Sequence, residues 1–346
     1  MLDKAVKLIS NRQSAIATPI LRYVIGSCFI VAVSSLMDYS LSYLTAVLGL
    51  GYLAPGVRPL TFKQSSSFLI ALIIITFVAF VFSAIFLDYL LIFIPILGLG
   101  ILYLYYTDKL VGMVKLFAIM SLILIPLLSL THIVVGAFVS VSLIINAFMA
   151  VILAHIIFFV FPWSTQDEHY VKTKEDGPAP NEQQRFTYAT NILVILFPVV
   201  MLFYFFNMVE SVLVLIFIAI LCTNPNIANA KIGFIFVAAN IVGGLFAIAA
   251  YQLLTIVPMY VFMLLIVLAV GFFFAPRLFS SSKLAPVFGS AYSTFLLILG
   301  NVTSSDSDAG STLWSRVFLI SLAVIYVVVA FAILNHYQSS KKRTDD

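Results

Sequence analysis

Long apolar runs, separated by short polar or proline-bearing stretches, set the pattern of this chain. The runs are continuous and do not alternate with period two, which favours helices over the strands of a membrane barrel. A helix needs about 20 apolar residues to cross roughly 30 Å of hydrocarbon. On that measure the pattern predicts twelve helices. They fall at about 19–37, 41–55, 66–87, 89–106, 111–130 and 133–161, then at about 188–207, 211–224, 232–254, 257–275, 284–301 and 314–335. The join near residue 88 is set by length, since 66–106 is too long for one span.

Composition agrees with that pattern. With 63% hydrophobic and 9% charged residues, a chain of 346 residues has no polar coat for a water-soluble globule. The predicted class is an all-α integral membrane protein, and mean hydropathy of +1.15 points the same way. Cytoplasmic segments are expected to carry the Lys and Arg excess. With the N-terminus inside, only Arg316 of the 18 Lys and Arg residues falls on the outer side. The asymmetry favours an even number of spans with both termini cytoplasmic. The net charge of +4 follows from this topology and gives no reason to invoke nucleic acid.

The expected organisation is a cytoplasmic amphipathic segment at 1–18, a six-helix repeat at 19–161, a cytoplasmic linker at 162–187, a second six-helix repeat at 188–335 and a cytoplasmic tail at 336–346. The linker holds the one clearly polar stretch, "STQDEHYVKTKEDGPAPNEQQR" at 164–185. Either side of it the order of features repeats. A span is followed by an outer-turn acid (Asp38, then Glu210), a short helix, a break, a lysine (Lys63, then Lys231) and a long apolar helix. Six helices per unit keep both copies in one orientation, so the repeats are parallel.

The breaks, "YLAPGVRPLTFK" at 52–63 and "LCTNPNIANAK" at 221–231, carry the first candidate site. Short interrupted spans in matching positions of two halves point to a transporter binding site. Pro55, Arg58, Lys63 and Ser65 in the first, with Asn224, Pro225 and Lys231 in the second, would form an inner receptor for a carboxylate; the other reading is a proline-terminated helix at the cytoplasmic interface, with Arg58 and Lys63 as topology charges only. Ser65, Ser66 and Ser67 are expected to cap the helix after the first break, where exposed N–H groups and the dipole favour an anion. Ionisable residues within or at the ends of spans form a second set: Arg22, His132, His155 and Arg316, with Asp38 and Glu210 as outer partners. Ser142 and Asn146 share a helical face, and Gly243 with Ala247 has close-packing spacing; the choice between a pathway and interhelical packing stays open for them.

Other chemistries lack their residues. There is no phosphate loop, no metal-ligand cluster and no nucleophile motif, so neither an enzyme nor a cofactor is expected. Cys28 and Cys222 fall inside predicted spans and are expected to pack.

The stretch "LRYVIGSCFIVAVSSLMDYSLSYLTAVLGLGYLAPGVRPLTFKQSSSFLIALII", with the parallel second copy ending in "TLWSRVFLISLAVIYVVVAFAIL", resembles the fusaric acid resistance family, and within it a short bacterial subgroup of unknown function. That resemblance implies an inner-membrane component of aromatic carboxylic acid efflux. It also implies partnership with a periplasmic membrane-fusion adaptor and an outer-membrane channel. Plant malate channels share the six-helix unit, which keeps a passive anion channel open beside a non-transporting membrane scaffold. Matching positions are Pro55, Arg58, Lys63, Asn224, Pro225, Lys231 and Arg316. The large exporters carry a cytoplasmic domain between their halves, where this chain has only the linker. Oligomeric state, homo-oligomers included, is left open.

Overall fold

A computed structural model describes residues 2–107, 113–164, 167–168, 181–208, 230–282 and 284–303, with single residues and short pieces between 214–222 and 318–333. Within 2–17 and 230–237, Ile235 apart, only the backbone is described. We number the helices of the described residues α1 (Leu2–Met37), α2 (Tyr43–Leu53), α3 (Phe62–Phe86), α4 (Leu90–Tyr106), α5 (Met113–Ser129), α6 (Ile133–Val160), α7 (Glu182–Phe205), α8 (Ala230–Ile256), α9 (Tyr260–Leu278) and α10 (Ala285–Thr303).

Seven of them contain a segment long and apolar enough to cross a membrane, and the chain is a multi-pass helical membrane protein. The character of the exposed side chains fits. Ile70, Ile73, Ile74, Phe77 and Val78 of α3 are all exposed, an apolar surface suited to lipid. Hydroxyls within α3, α5 and α6 are satisfied locally: Thr76, Ser83, Ser129 and Ser140 each donate to the carbonyl four residues back.

The helix limits follow local chemistry more closely than the apolar runs do. Helix α2 is 11 residues long, roughly 16 Å at 1.5 Å per residue, so it is shorter than the 41–55 expected from sequence. It stops because Ala54, Pro55, Gly56 and Val57 form a turn. Val57 N–H donates to Ala54 O at 3.2 Å and Gly56 adopts φ 74°, the geometry that favours proline then glycine at the two central positions. Helix α3 starts at Phe62, before the serines expected to cap it. The cap is Thr61, whose Oγ1 accepts from Gln64 N–H while Gln64 Oε1 accepts from Thr61 N–H, a reciprocal capping box. Ser65 therefore lies inside the helix. Helix α7 begins at Glu182, ahead of the expected 188, because Asn181 and Gln184 form a second capping box within the polar stretch.

The chain divides into two compact units, residues 1–65, 146–178 and 242–309 in the first, and 66–145, 179–241 and 310–346 in the second. In the first, α1 packs on α2 and α9, and α10 packs on α9 and α2. Its aromatic core centres on Tyr292, stacked on Phe295 with centroids 6.0 Å apart and hydrogen-bonded to Ser27 Oγ at 2.8 Å. In the second, α4 packs on α7 and α5. Phe93 stacks on Phe82 at 4.9 Å there and meets Tyr204, whose hydroxyl donates to Ile123 O at 3.2 Å. Lys115 donates from Nζ to Tyr105 O and Thr107 O, at 3.0 and 3.1 Å, and so closes the C-terminal end of α4. A lysine counted from sequence as a topology charge thus has a structural partner.

Candidate functional site

The first break folds into a strap. After the turn at 54–57, residues 57–61 run without helical structure to the Thr61 cap, and α6 holds both ends of the α2 and strap segment. At the start of α2 no side chain of Ser42 caps the helix. Asn146 of α6 supplies the missing group: its Oδ1 accepts from Thr45 N–H at 3.1 Å and from Thr45 Oγ1 at 2.7 Å, and its Nδ2 donates to Ser40 O at 3.0 Å. Tyr39 OH lies 2.5 Å from the same Thr45 hydroxyl.

Nine residues further along α6, roughly 13 Å, His155 holds the other end. Its Nε2 is 3.0 Å from Leu60 O and 3.3 Å from Ser65 Oγ, and its Nδ1 is 2.8 Å from Val151 O. Carbonyl oxygens only accept. A neutral imidazole can therefore serve one of the two carbonyls, and an imidazolium both.

Between strap and helix lies a cleft lined by Tyr52, Arg58, Pro59, Leu60, Val151, Ala154, His155 and Phe158, enclosing about 250 Å³ with its open mouth included. Arg58 is exposed and makes no hydrogen bond or ion pair among the described residues. The cleft thus has a cation at its rim and aromatic and aliphatic walls.

Behind Phe158 sits a buried ion pair. Arg22 of α1 and Asp167 are 2% and 1% exposed, and the guanidinium grips the carboxylate with both terminal nitrogens, NH1 reaching Oδ2 at 3.2 Å and NH2 reaching Oδ1. NH1 also approaches Pro162 O at 3.4 Å. The guanidinium carbon lies 4.7 Å from the centroid of Phe158 and 5.7 Å from that of Trp163. Asp167 Oδ2 accepts further from Ser164 N–H and Oγ, both at 2.9 Å.

The sequence-predicted residues divide accordingly. Pro55 shapes the turn, Arg58, His155 and Ser65 meet at the strap, and Lys63 is exposed in the first turn of α3. Asn146 belongs to the upper clamp. His132 caps α6 through Nδ1, which accepts from Val134 N–H at 3.2 Å, and Asp38 is exposed in the turn after α1 with φ 44°. Gly243 and the buried Ala247 lie in the close-packed part of α8, and Cys28 and Cys222 are buried free thiols. Glu210, Asn224, Pro225 and Arg316 lie outside the described residues, and Lys231 is described only as backbone in α8. Sequence reasoning missed Tyr52, Phe158, Trp163 and Asp167. For Asp167 a signal existed, since Ser164 and Asp167 have capping-box spacing.

No protein-family model matches the chain, and comparison with curated proteins and with solved structures gives no match.

Proposed function

We propose that this protein is a bacterial inner-membrane transporter that exports small organic anions, with single-ring aromatic carboxylic acids as the favoured class. The observation that carries this is the cleft between strap and α6. Arg58 offers a charge-assisted hydrogen bond to a carboxylate, and Tyr52 and Phe158 are the aromatic members of the lining that an aromatic acid would meet. His155 holds the strap to α6, its two nitrogens facing carbonyls on the strap and on α6.

The Lys and Arg asymmetry favours cytoplasmic termini, which puts the cleft on the cytoplasmic side, where an exporter loads. Twelve spans in two parallel repeats are supported by matching contacts. The first helix of each half packs on the fourth helix of the other: α1 on α9, and α7 on α4. At these contacts Tyr23 meets Phe279 edge-on at 5.7 Å and Phe186 meets Tyr106 edge-on at 6.2 Å. An arginine, Arg22 or Arg185, precedes each first aromatic residue. The resemblance to the fusaric acid resistance family agrees with this function, and a periplasmic adaptor with an outer-membrane channel is the partnership it suggests.

The test is accumulation of radiolabelled 4-hydroxybenzoate in cells with and without the protein, each with and without a protonophore. Export predicts lower accumulation with the protein, lost on adding the protonophore. Arg58→Ala is expected to slow export roughly tenfold, the scale of one charge-assisted hydrogen bond, at unchanged membrane level. A difference that survives the protonophore would make the protein a passive channel. No difference across a panel of organic acids would leave the scaffold in place of the exporter.

A further inference from the structure

We propose that Asp167 is a built-in competitor for the transported anion, and that Arg22 beneath it is a second, deeper seat for an aromatic carboxylate. The inference rests on the transport function proposed above.

Four observations support it. The guanidinium is gripped by a carboxylate with both terminal nitrogens and has an aromatic ring on Phe158 and another on Trp163 within cation–π reach, an arrangement that would receive an aromatic acid equally well. The Nε of Arg22 is buried and has no partner among the described residues, so the guanidinium is not fully satisfied by the present occupant. Asp167 is held by local contacts, from Ser164 three residues before it, and it follows the end of α6 within the polar stretch. Its departure would break the Arg22 pair and the two bonds that Ser164 donates to it, while leaving the helix contacts of the core in place. Finally, Phe158 both lines the cleft and lies against Arg22, so the two seats share a wall.

The physical advantage is charge balance. A buried guanidinium stripped of its counterion is strongly unfavourable, and a staple made only for stability would serve as well with apolar residues. Exchange of one carboxylate for another keeps Arg22 paired throughout. The acid is first met by Arg58 at the rim, its ring moves over Phe158, and its carboxylate displaces Asp167. When the acid leaves, Asp167 returns and closes the seat.

The experiment is equilibrium binding of radiolabelled 4-hydroxybenzoate to the purified full-length protein and to Asp167→Asn, Ser164→Ala and Arg58→Ala. Asp167→Asn removes the competing charge while keeping the shape, and is expected to tighten binding about tenfold. Ser164→Ala keeps the charge but loosens its hold, and is expected to tighten binding by a smaller factor. Arg58→Ala is expected to weaken it. If the wild type binds and Arg58→Ala weakens binding, but Asp167→Asn and Ser164→Ala bind no more tightly, the inference is overturned and the transport function stands. Should Asp167→Asn fail to fold, unchanged affinity in Ser164→Ala overturns it alone. Absence of binding in the wild type and every variant would overturn the aromatic-acid function as well.

Discussion

Gly243→Ala is expected to lower the stability of the protein in detergent by about 3 kcal/mol or more, whereas Gly49→Ala will leave it close to wild type. Both glycines lie in helices against neighbours too close for a side chain, and the difference is in what the neighbour is. A Cβ at Gly243 would sit 2.2 Å from the carbonyl oxygen of Ala291, 3.0 Å from its carbon and 3.2 Å from its Cα. These are backbone atoms of α10, which lies at the centre of the first unit, so relief requires moving one helix away from the other. At Gly49 the close atom is Ile30 Cδ1 at 2.4 Å, the tip of a side chain that can change rotamer. Replacing glycine by alanine within a helix gains up to about 1 kcal/mol of propensity, which offsets the adjustment at Gly49 but not at Gly243. Thermal melts of the purified variants, followed by loss of the monodisperse peak on size exclusion, measure both. Equal melting temperatures would show that α8 and α10 yield to a methyl group.

The helices were legible because burial in lipid demands long apolar runs, and each of the ten described helices overlaps an expected span, although α1 begins at Leu2 and runs without a break through the segment expected to lie apart at 1–18. Their ends were less legible, since an end is set by one or two polar atoms. Thr61 with Gln64, and Asn181 with Gln184, moved two starts upstream of the apolar runs. A row of three serines drew attention away from the Thr-x-x-Gln spacing that caps α3. At the candidate site, the break itself was visible through Pro55 and Gly56. That His155 would close on it was not, because Leu60 and His155 lie 95 residues apart and nothing in sequence pairs them. Phe158 and Tyr52 were hidden for another reason. Among 32 phenylalanines and 16 tyrosines, an aromatic residue in an apolar helix carries no local mark of facing a cleft. Asp167 was passed over because a charged residue in a polar stretch is expected to be solvated.

Asn146→Leu is expected to destabilise the protein by about 2–3 kcal/mol and to impair anion binding at the same time. Leucine fits the volume of asparagine only roughly, but its main defect is chemical. Asn146 is fully buried, and its amide serves Thr45 N–H, the Thr45 hydroxyl and Ser40 O. Thr45 N–H is one of the donors at the start of α2 that the helix cannot satisfy from within. Its remaining contact, Ser42 O at 3.1 Å, keeps it partly bonded, which is why the expected loss stays below the sum of three lost hydrogen bonds. The effect on binding follows from the geometry of α2. This helix is clamped to α6 by Asn146 at its start, and the strap beyond it is held by His155 about 13 Å further along α6. Release of the upper clamp lets α2 shift along α6 and carries Tyr52 and Arg58 away from Phe158. Asn146→Asp, which keeps the Oδ1 acceptor for both Thr45 donors but cannot donate to Ser40 O, separates the two effects and is expected to retain more of the helix position. The measurement is a thermal melt paired with 4-hydroxybenzoate binding on the same samples. Lost stability with unchanged affinity would mean that α2 and the cleft are mechanically independent, and that His155 alone positions the strap.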